Sequence, residues 1–343
     1  MRESINTDAC SRLWKIARKA MFLLDAEKAH QLGTIGIRLG IGALRDEALS
    51  YQPRKVFGID FLNSIGLAAG FDKDGDLIEQ ISRYGFGSIE IGSVTPLPQP
   101  GNPKPRMYRV THEAGLWNAM GFNSRGMNYV RSRLEEVRAR QSLPTFFRIG
   151  VNLGKNKDTP IKDAGKDYAK VAKSLAHLSD YLVINISSPN TPALRDLQTP
   201  SYIRELVEGV KNESKDKPVL VKVAPEITGD ALSELLHAGD KAGVDGWVLT
   251  NTLAVKPPHG AHTQMEVGGL SGGPLREISF QRLCEARLLT LKPIISVGGV
   301  GGAEEIKRRV SNGASLVQFY SAWVYQGPDV VTRMLTELSH DID

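Results

Sequence analysis

The stretch Tyr181-Leu182-Val183-Ile184-Asn185-Ile186-Ser187-Ser188-Pro189-Asn190-Thr191-Pro192 decides how this chain is read. Its first four residues form an apolar run, β-branched at Val183 and Ile184, that reads as a buried strand. The run then changes abruptly to amides, hydroxyls and prolines, so the strand delivers polar groups to a pocket. The two prolines fix φ and remove backbone donors, which makes the loop stiff. Ser188 is a candidate nucleophile or base, and Asn185 and Asn190 each donate and accept hydrogen bonds. Read alone, the same residues also describe an Asn/Ser/Pro surface turn, and the rest of the chain decides between the two.

Outward from this stretch the same rhythm repeats. Short apolar runs recur at Ile65–Ala69, Ser88–Gly92, Phe146–Val151, Tyr181–Ile186, Val219–Val223, Trp247–Thr250, Pro293–Val297 and Leu316–Tyr320. Helical patterns lie between most of them, as at Ala169–Leu178, Ile203–Val210, Ala231–Ala238 and Ala303–Val310. Strands alternating with helices imply a parallel sheet, and eight such units imply an α/β fold of the closed (β/α)8 TIM-barrel type. A doubly wound open sheet is disfavoured, because no GxGxxG follows the first strand and no switch point is evident. The segment between Ser93 and Phe146 breaks the rhythm and is rich in Pro and Gly from Pro96 to Pro105. A long insertion on the face where barrel active sites form is a candidate lid or substrate loop.

With 343 residues, 41% of them hydrophobic, the chain can bury a large core. The formal net charge of +5 suits nucleic acid, anionic lipid or a small anionic substrate, and does not choose among them. Cys10 and Cys284 are far apart and lack metal-ligand spacing, so no metal site is expected and a reducing compartment is. Cys284 falls in a helical pattern and reads as a small core residue. No apolar run reaches the roughly eighteen residues of a transmembrane helix. Residues 11–24 instead interleave Arg12, Lys15, Arg18 and Lys19 with Leu13, Trp14, Ile16, Met21, Phe22 and Leu23. That basic amphipathic helix suits a membrane surface or packing on its own domain. Asp25 then reads as the N-cap of a second helix that fades near Ala43, with Lys28 at its third position. Residues 45–55 read as a linker. The expected organisation is a helical extension over 1–45, too short to hold a core alone, and a barrel over 46–343.

The residues that end the strands are polar almost throughout: Asp72 and Lys73 after the first, Ser93, Asn152, Asn185, then Thr250-Asn251-Thr252 and Tyr320-Ser321. C-terminal strand ends in such barrels are read as functional. Lys222 lies inside the Val-rich fifth strand, where a lone ammonium is costly unless it faces an anion. Gly268-Gly269-Leu270-Ser271-Gly272-Gly273-Pro274 and Gly298-Gly299 each precede a helix, which offers backbone N–H groups to a phosphate. Few carboxylates and no His pair stand at the strand ends, unlike a hydrolase or metalloenzyme. Lys, Asn, Ser and Thr suit a flat, amide-rich heterocycle, and hydride chemistry then needs a cofactor that the protein orients.

Beyond this pattern, Leu67-Ala68-Ala69-Gly70-Phe71-Asp72-Lys73, Gly101-Asn102-Pro103-Lys104-Pro105-Arg106 and Met120-Gly121-Phe122-Asn123 resemble dihydroorotate dehydrogenases. Asn152–Lys157, Asn185–Pro192, Lys222-Val223-Ala224-Pro225, Thr250-Asn251-Thr252, Gly268–Gly272 and Gly313–Gln318 continue the resemblance in order along nearly the whole chain. In that family, Cys at the base position marks the soluble class 1 and Ser marks the membrane-associated, quinone-dependent class 2. Ser188, with the Leu24-Asp25-Ala26-Glu27-Lys28-Ala29-His30 segment, resembles class 2.

The resemblance implies one FMN held by Ala69, Gly70, Phe71, Asp72 and Lys73, and by Ser93, Asn152, Asn185, Lys222 and Thr250. It implies the FMN phosphate at Gly272, Gly299, Tyr320 and Ser321, and a Lys222 that stabilises the reduced flavin. Dihydroorotate would be bound by Lys73, by Asn118, Ala119, Met120, Gly121 and Phe122, and by Asn185, Asn190, Asn251 and Thr252. Ser188 would take the C5 proton while C6 delivers hydride, with Thr191 and Phe122 shaping the proton exit. Ubiquinone or menaquinone would enter past His30 and Arg109 through a tunnel under the extension. The enzyme would sit as a peripheral protein on the cytoplasmic face of a bacterial-type membrane, with no nucleic-acid partner. The chain departs from the pattern at Ala26 in place of Pro, at Trp117-Asn118-Ala119, and at Leu253 where Thr is common. The alternative is another FMN barrel such as a tRNA dihydrouridine synthase, which predicts a catalytic Cys in the barrel and a helical C-terminal domain.

Overall fold

The computed structural model describes residues 7–43 and 53–339. Residues 45–52 of the expected linker lie outside the described residues, as do the side chains of Cys10, Arg12 and Leu13. Eight parallel strands close a barrel in chain order. They are β1 (Ile65–Leu67), β2 (Ser88–Val94), β3 (Arg148–Leu153), β4 (Tyr181–Asn185), β5 (Val219–Val223), β6 (Gly246–Leu249), β7 (Ile294–Val297) and β8 (Leu316–Phe319). Closure comes from β8 against β1, with Val317 opposite Ile65 and Phe319 opposite Leu67.

Side-chain alternation along the strands sorts the core into two compartments. Tyr181, Val183, Leu220, Val248, Ile295 and Leu316 point into the barrel. Leu182, Ile184, Val219, Val221, Trp247 and Leu249 point outward against the surrounding helices. Both faces are therefore apolar, which is why the strands read as continuous hydrophobic runs. The expected helices form with shifted ends: Ala164–Leu175, Pro200–Ser214, Gly229–Lys241 and Ala303–Ser311. Cys284, on the helix Arg276–Leu289, is half-buried instead of a core residue. An antiparallel hairpin, Arg54–Val56 with Ile59–Phe61, plugs the N-terminal mouth. Phe57 and Phe61 stack near Tyr181 there, with ring centroids 6.4 and 6.1 Å away.

Over the opposite mouth lies a four-stranded antiparallel sheet in the order Leu253–Val255, Gly268–Gly272, Gly115–Asn118, Met107–Val110. Most of the glycine-rich segment, expected as a loop before a helix, is thus a strand. A Cβ at Gly268 would stand 2.4 Å from the Trp117 ring, so only glycine lets the two strands approach. The insertion after β2 supplies the hairpin of this sheet and then the helix Met127–Arg140.

The extension forms α1 (Thr7–Phe22) and α2 (Ala26–Arg38). Asp25 Oδ1 accepts from the N–H groups of Glu27 and Lys28, each at 3.0 Å, and caps α2 as expected. Against the barrel, α1 uses Arg18, whose Nη1 donates to Tyr325 O at 2.6 Å, and Phe22, edge-on to Tyr325 at 5.3 Å. Leu23 and Leu39 remain 89% and 74% exposed, so the pair packs on the barrel with one face only.

Candidate active site

The C-terminal strand ends and the overlying sheet enclose a cavity of about 490 Å³, within the ordinary range for a small-molecule site. Asn185, last residue of β4, joins its walls. Its Nδ2 donates to Ser93 Oγ at 2.8 Å and to Asn152 Oδ1 at 3.0 Å, reaching back to β2 and β3. Its Oδ1 accepts from the Ser187 N–H at 3.2 Å and from Asn251 Nδ2, beyond β6, also at 3.2 Å. With Tyr168 donating to Asn185 O at 2.7 Å, the residue has no rotational freedom left.

Beneath it lies a buried polar layer. Lys222 Nζ stands 3.7 Å from Glu90 Oε1, and Glu90 is 0% exposed. Glu90 also accepts from Asn152 Nδ2 at 2.7 Å and from Gln318 Nε2 at 3.1 Å. A buried carboxylate with three donors around it is held in place and compensated. Lys222 thus has the anionic partner its strand position demands, while still lining the cavity.

The loop after β4 puts Ser188 on the cavity wall at 6% exposure. Ser188 Oγ accepts from the Asn190 N–H at 3.2 Å. The loop is braced from behind by Arg195, which donates to Ser187 O at 3.0 Å and Thr252 O at 3.1 Å and pairs with Glu226 at 2.9 Å. Asn190 Nδ2 donates to Asn118 Oδ1 at 3.0 Å, and Asn102 Nδ2 holds Asn190 O at 3.0 Å. The Asn190 Oδ1 and Thr191 Oγ1 atoms are buried without a partner. Asn190 lines the cavity, so its orphaned oxygen is one that a ligand can satisfy. Asn118, Asn190, Asn251 and Thr252 all face that space.

Lys73 also faces it, with Nζ donating to Asn123 Oδ1 at 2.7 Å. Burial first, and then the positive charge of Arg106, push its ammonium down from 10.5 to about 8. An anion entering the cavity would relieve both costs.

At the far end two glycine turns face each other. Gly272 and Gly299 have φ of 86° and 69°, where other residues are strained. A Cβ at Gly272 would stand 2.3 Å from Ala114 O, and one at Gly299 2.3 Å from Arg276 Cα. Backbone therefore lines this end, together with Ser321, whose Oγ is 2.9 Å from Ser271 Oγ, and Tyr320, whose phenol burial pushes up. The combination suits a phosphate.

Of the residues expected at the site, Ala69, Gly70, Ser93, Met120, Gly121, Phe122 and Thr250 join those above on the cavity wall. Four lie behind it. Asn152 is one layer down, bonded to Ser93, Asn185 and Glu90. Asp72 turns away and accepts from the Asp76 and Leu77 N–H groups at 2.9 and 2.8 Å, and burial pushes its carboxyl up to about 6. Phe71 packs between His30 and Trp323, with ring centroids 4.9 and 4.7 Å away. Ala119 is buried and contributes backbone, its carbonyl accepting from Asn102 Nδ2 at 3.1 Å.

Neither expected tunnel residue is on the cavity wall. His30 is kept neutral, pushed down to about 4 by burial and then by the charge of Lys73. Arg109 holds the end of α1, donating to Leu24 O at 2.8 Å and covering the Phe22 ring at 4.6 Å. Sequence reasoning missed Glu90, Ser271, Arg276 and Arg18, of which the last three line the cavity. Among the described residues no group of His, Cys, Asp and Glu is placed to hold a metal ion.

Residues 52–342 match the family described as dihydroorotate dehydrogenase. The dihydroorotate dehydrogenase (quinone) of a Nitratiruptor species is 41% identical over 326 residues, spanning 92% of this chain and 90% of the relative. The mitochondrial dihydroorotate dehydrogenase (quinone) of Mus musculus is 42% identical over 330 residues, spanning 92% and 82%. The crystal structure of DHODH from Eimeria tenella in complex with ferulenol aligns with a TM-score of 0.85 at 32% identity, covering 93% of this chain and 92% of that one. With fold and sequence agreeing over nearly its whole length, this chain belongs to the dihydroorotate dehydrogenase family.

Proposed function

We propose that this chain oxidises dihydroorotate to orotate in pyrimidine biosynthesis, using FMN within the chain and a quinone as final electron acceptor. The observation that carries this reading is Ser188, a hydroxyl on a braced loop facing a cavity ringed by Lys73, Asn118, Asn190 and Asn251. Flavin dependence is general in this family, and the residues present fit the mononucleotide. Lys222, Ser93, Asn185 and Thr250 offer polar groups to a flat ring, while Gly272, Gly299, Tyr320 and Ser321 offer a phosphate cradle. A flavin held there would supply the hydride acceptor for C6 of the substrate and the electron donor for quinone.

The chain's own residues do the rest. Lys73 attracts the substrate carboxylate, and the orphaned Asn190 Oδ1 accepts from a ring N–H. Ser188 Oγ takes the proton from C5. A hydroxyl is a weak base, so it needs help in both directions. The Asn190 N–H already donates to Ser188 Oγ and favours its anionic form. The unpartnered Thr191 hydroxyl, next in the loop, and the Phe122 ring bound the path by which the proton leaves.

Residues 1–45 form the quinone-delivering extension and 46–343 the FMN barrel in this reading. No helix among the described residues is long and apolar enough to cross a membrane. Exposed Ile16, Leu23, Leu39 and Ile41 support peripheral contact with a lipid surface, which this reading takes to be the cytoplasmic face of the membrane.

The test is Ser188→Ala. The protein should retain bound FMN, and anaerobic single-turnover reduction by dihydroorotate should slow by about 10²–10⁴, the usual weight of a positioned base. Reduction at the wild-type rate would refute the assignment of Ser188. Dihydroorotate oxidation that ran with fumarate or NAD but not with ubiquinone or menaquinone analogues would refute the acceptor.

A further inference from the structure

Arg309 lies on the helix Ala303–Ser311, within Lys307-Arg308-Arg309, which reads as a solvated basic face. Two of the three behave so: Lys307 pairs with Glu304 at 2.8 Å and Arg308 with Glu277 at 2.6 Å. The side chain of Arg309 is instead 0% exposed. A buried guanidinium is costly unless its N–H groups are satisfied, and here they are. Nε donates to Glu305 Oε1 at 2.9 Å and Nη1 to Ser296 Oγ at 2.7 Å. Nη2 reaches Gly298 O at 2.8 Å, Arg276 O at 3.0 Å and Ser279 Oγ at 2.9 Å.

Two of those acceptors are main-chain carbonyls, Gly298 O in one glycine turn at the far end of the cavity and Arg276 O at the start of the helix that follows the other. Arg276 follows the turn that begins at Gly272, and Gly298 opens the other. Ser279 Oγ lies between the same two carbonyls, 2.7 Å from Gly298 O and 3.0 Å from Arg276 O. A planar trans peptide points its C=O and N–H in opposite directions. Holding the Gly298 carbonyl against Arg309 therefore turns the Gly299 N–H away from the guanidinium, on a residue that lines the cavity. Among the described residues no main-chain acceptor takes that N–H.

We infer that Arg309 is the strut that keeps the two turns in register for a phosphate monoester, and so sets the preference for a phosphorylated flavin over the unphosphorylated one. It reaches no ligand itself and is a positioning residue. The inference rests on the proposed phosphate subsite of the flavin site.

The full chain, freed of flavin by dialysis against concentrated bromide, is titrated with FMN and with riboflavin while flavin fluorescence is followed. Wild type should prefer FMN. Arg309→Lys keeps the charge and loses the fork, and should lower the FMN-to-riboflavin affinity ratio by about tenfold, as expected for lost charge-assisted bonds. Its riboflavin affinity should stay within about twofold of wild type, because the ring end of the site is untouched. An unchanged ratio, including one in which both affinities fall together, overturns the strut and leaves Arg309 as a purely structural residue. Where Arg309→Lys fails to fold, Ser279→Ala decides by the same ratio. A wild-type chain that bound both flavins equally would sink the phosphate subsite, and the strut with it.

Discussion

Lys73 is half-buried beside Arg106 on the cavity wall, and its pKa of about 8 makes its charge conditional. Below that pH it is an ammonium ready for a carboxylate; above, it is a neutral amine. Since kcat/KM reports groups of the free enzyme, kcat/KM for dihydroorotate should fall above pH about 8, by up to tenfold per pH unit. Replacing Lys73 with Met should abolish that limb in a pH profile, and a limb that survived would assign it elsewhere. The sign for stability is opposite. The unfolded chain binds this proton more tightly between pH about 8 and 10.5, so the group's contribution to stability rises with pH across that window. At this scale the sequence showed the need but not always the partner. Lys222 in a Val-rich strand demanded an anion, yet Glu90 was hidden in Ser88-Ile89-Glu90-Ile91-Gly92, where alternation resembles a half-solvated strand. Barrel closure buries both faces and turns that glutamate inward. Arg309 was hidden likewise, since periodicity does not tell a solvated arginine from one capping carbonyls inside the fold.

Strand ends were legible because parallel strands with two buried faces stand out as apolar runs, and their polar terminators mark the site. The sheet over the mouth was not. Gly268–Gly272 carries only the Leu270 and Ser271 side chains, too few to show an alternation, and its strand character comes from pairing with Leu116, Trp117 and Asn118, some 150 residues away. The α1–barrel joint is another long-range feature. Arg109, on the strand Met107–Val110, donates to the Phe22 and Leu24 carbonyls and caps the C-terminal end of α1. Arg109→Ala should loosen α1 without disturbing Ser188. The expected outcome is a quinone KM raised about tenfold, the order of a lost charge-assisted cap, with single-turnover reduction by dihydroorotate nearly unchanged. Equal losses in both half-reactions would place Arg109 in the substrate site instead.

For the whole molecule, two helices rest by one face on a barrel whose active-site mouth they partly cover. Removing residues 1–45 should leave a folded, FMN-bound barrel that dihydroorotate reduces at near the wild-type rate. Steady-state turnover with a long-chain quinone should drop at least tenfold, and co-sedimentation with anionic vesicles should be lost. If both half-reactions fell equally in folded protein, the extension would not be a quinone device. The barrel could be read from alternation alone, and Asp25 named its helix start. The docking face of α1 could not be read, because Arg18 and Phe22 meet Tyr325, and that partner lies at the far end of the chain.

That last contact orders events during synthesis. Arg18 leaves the ribosome 307 residues before the carbonyl it docks on. At roughly 5–20 residues per second, this is an interval of about 15–60 s. Throughout it the apolar faces of α1 and α2 have no barrel to settle on. A nascent chain that finds a lipid surface in that interval can be tethered before its catalytic domain exists, so the enzyme would be delivered to the bilayer by translation order as well as by equilibrium affinity.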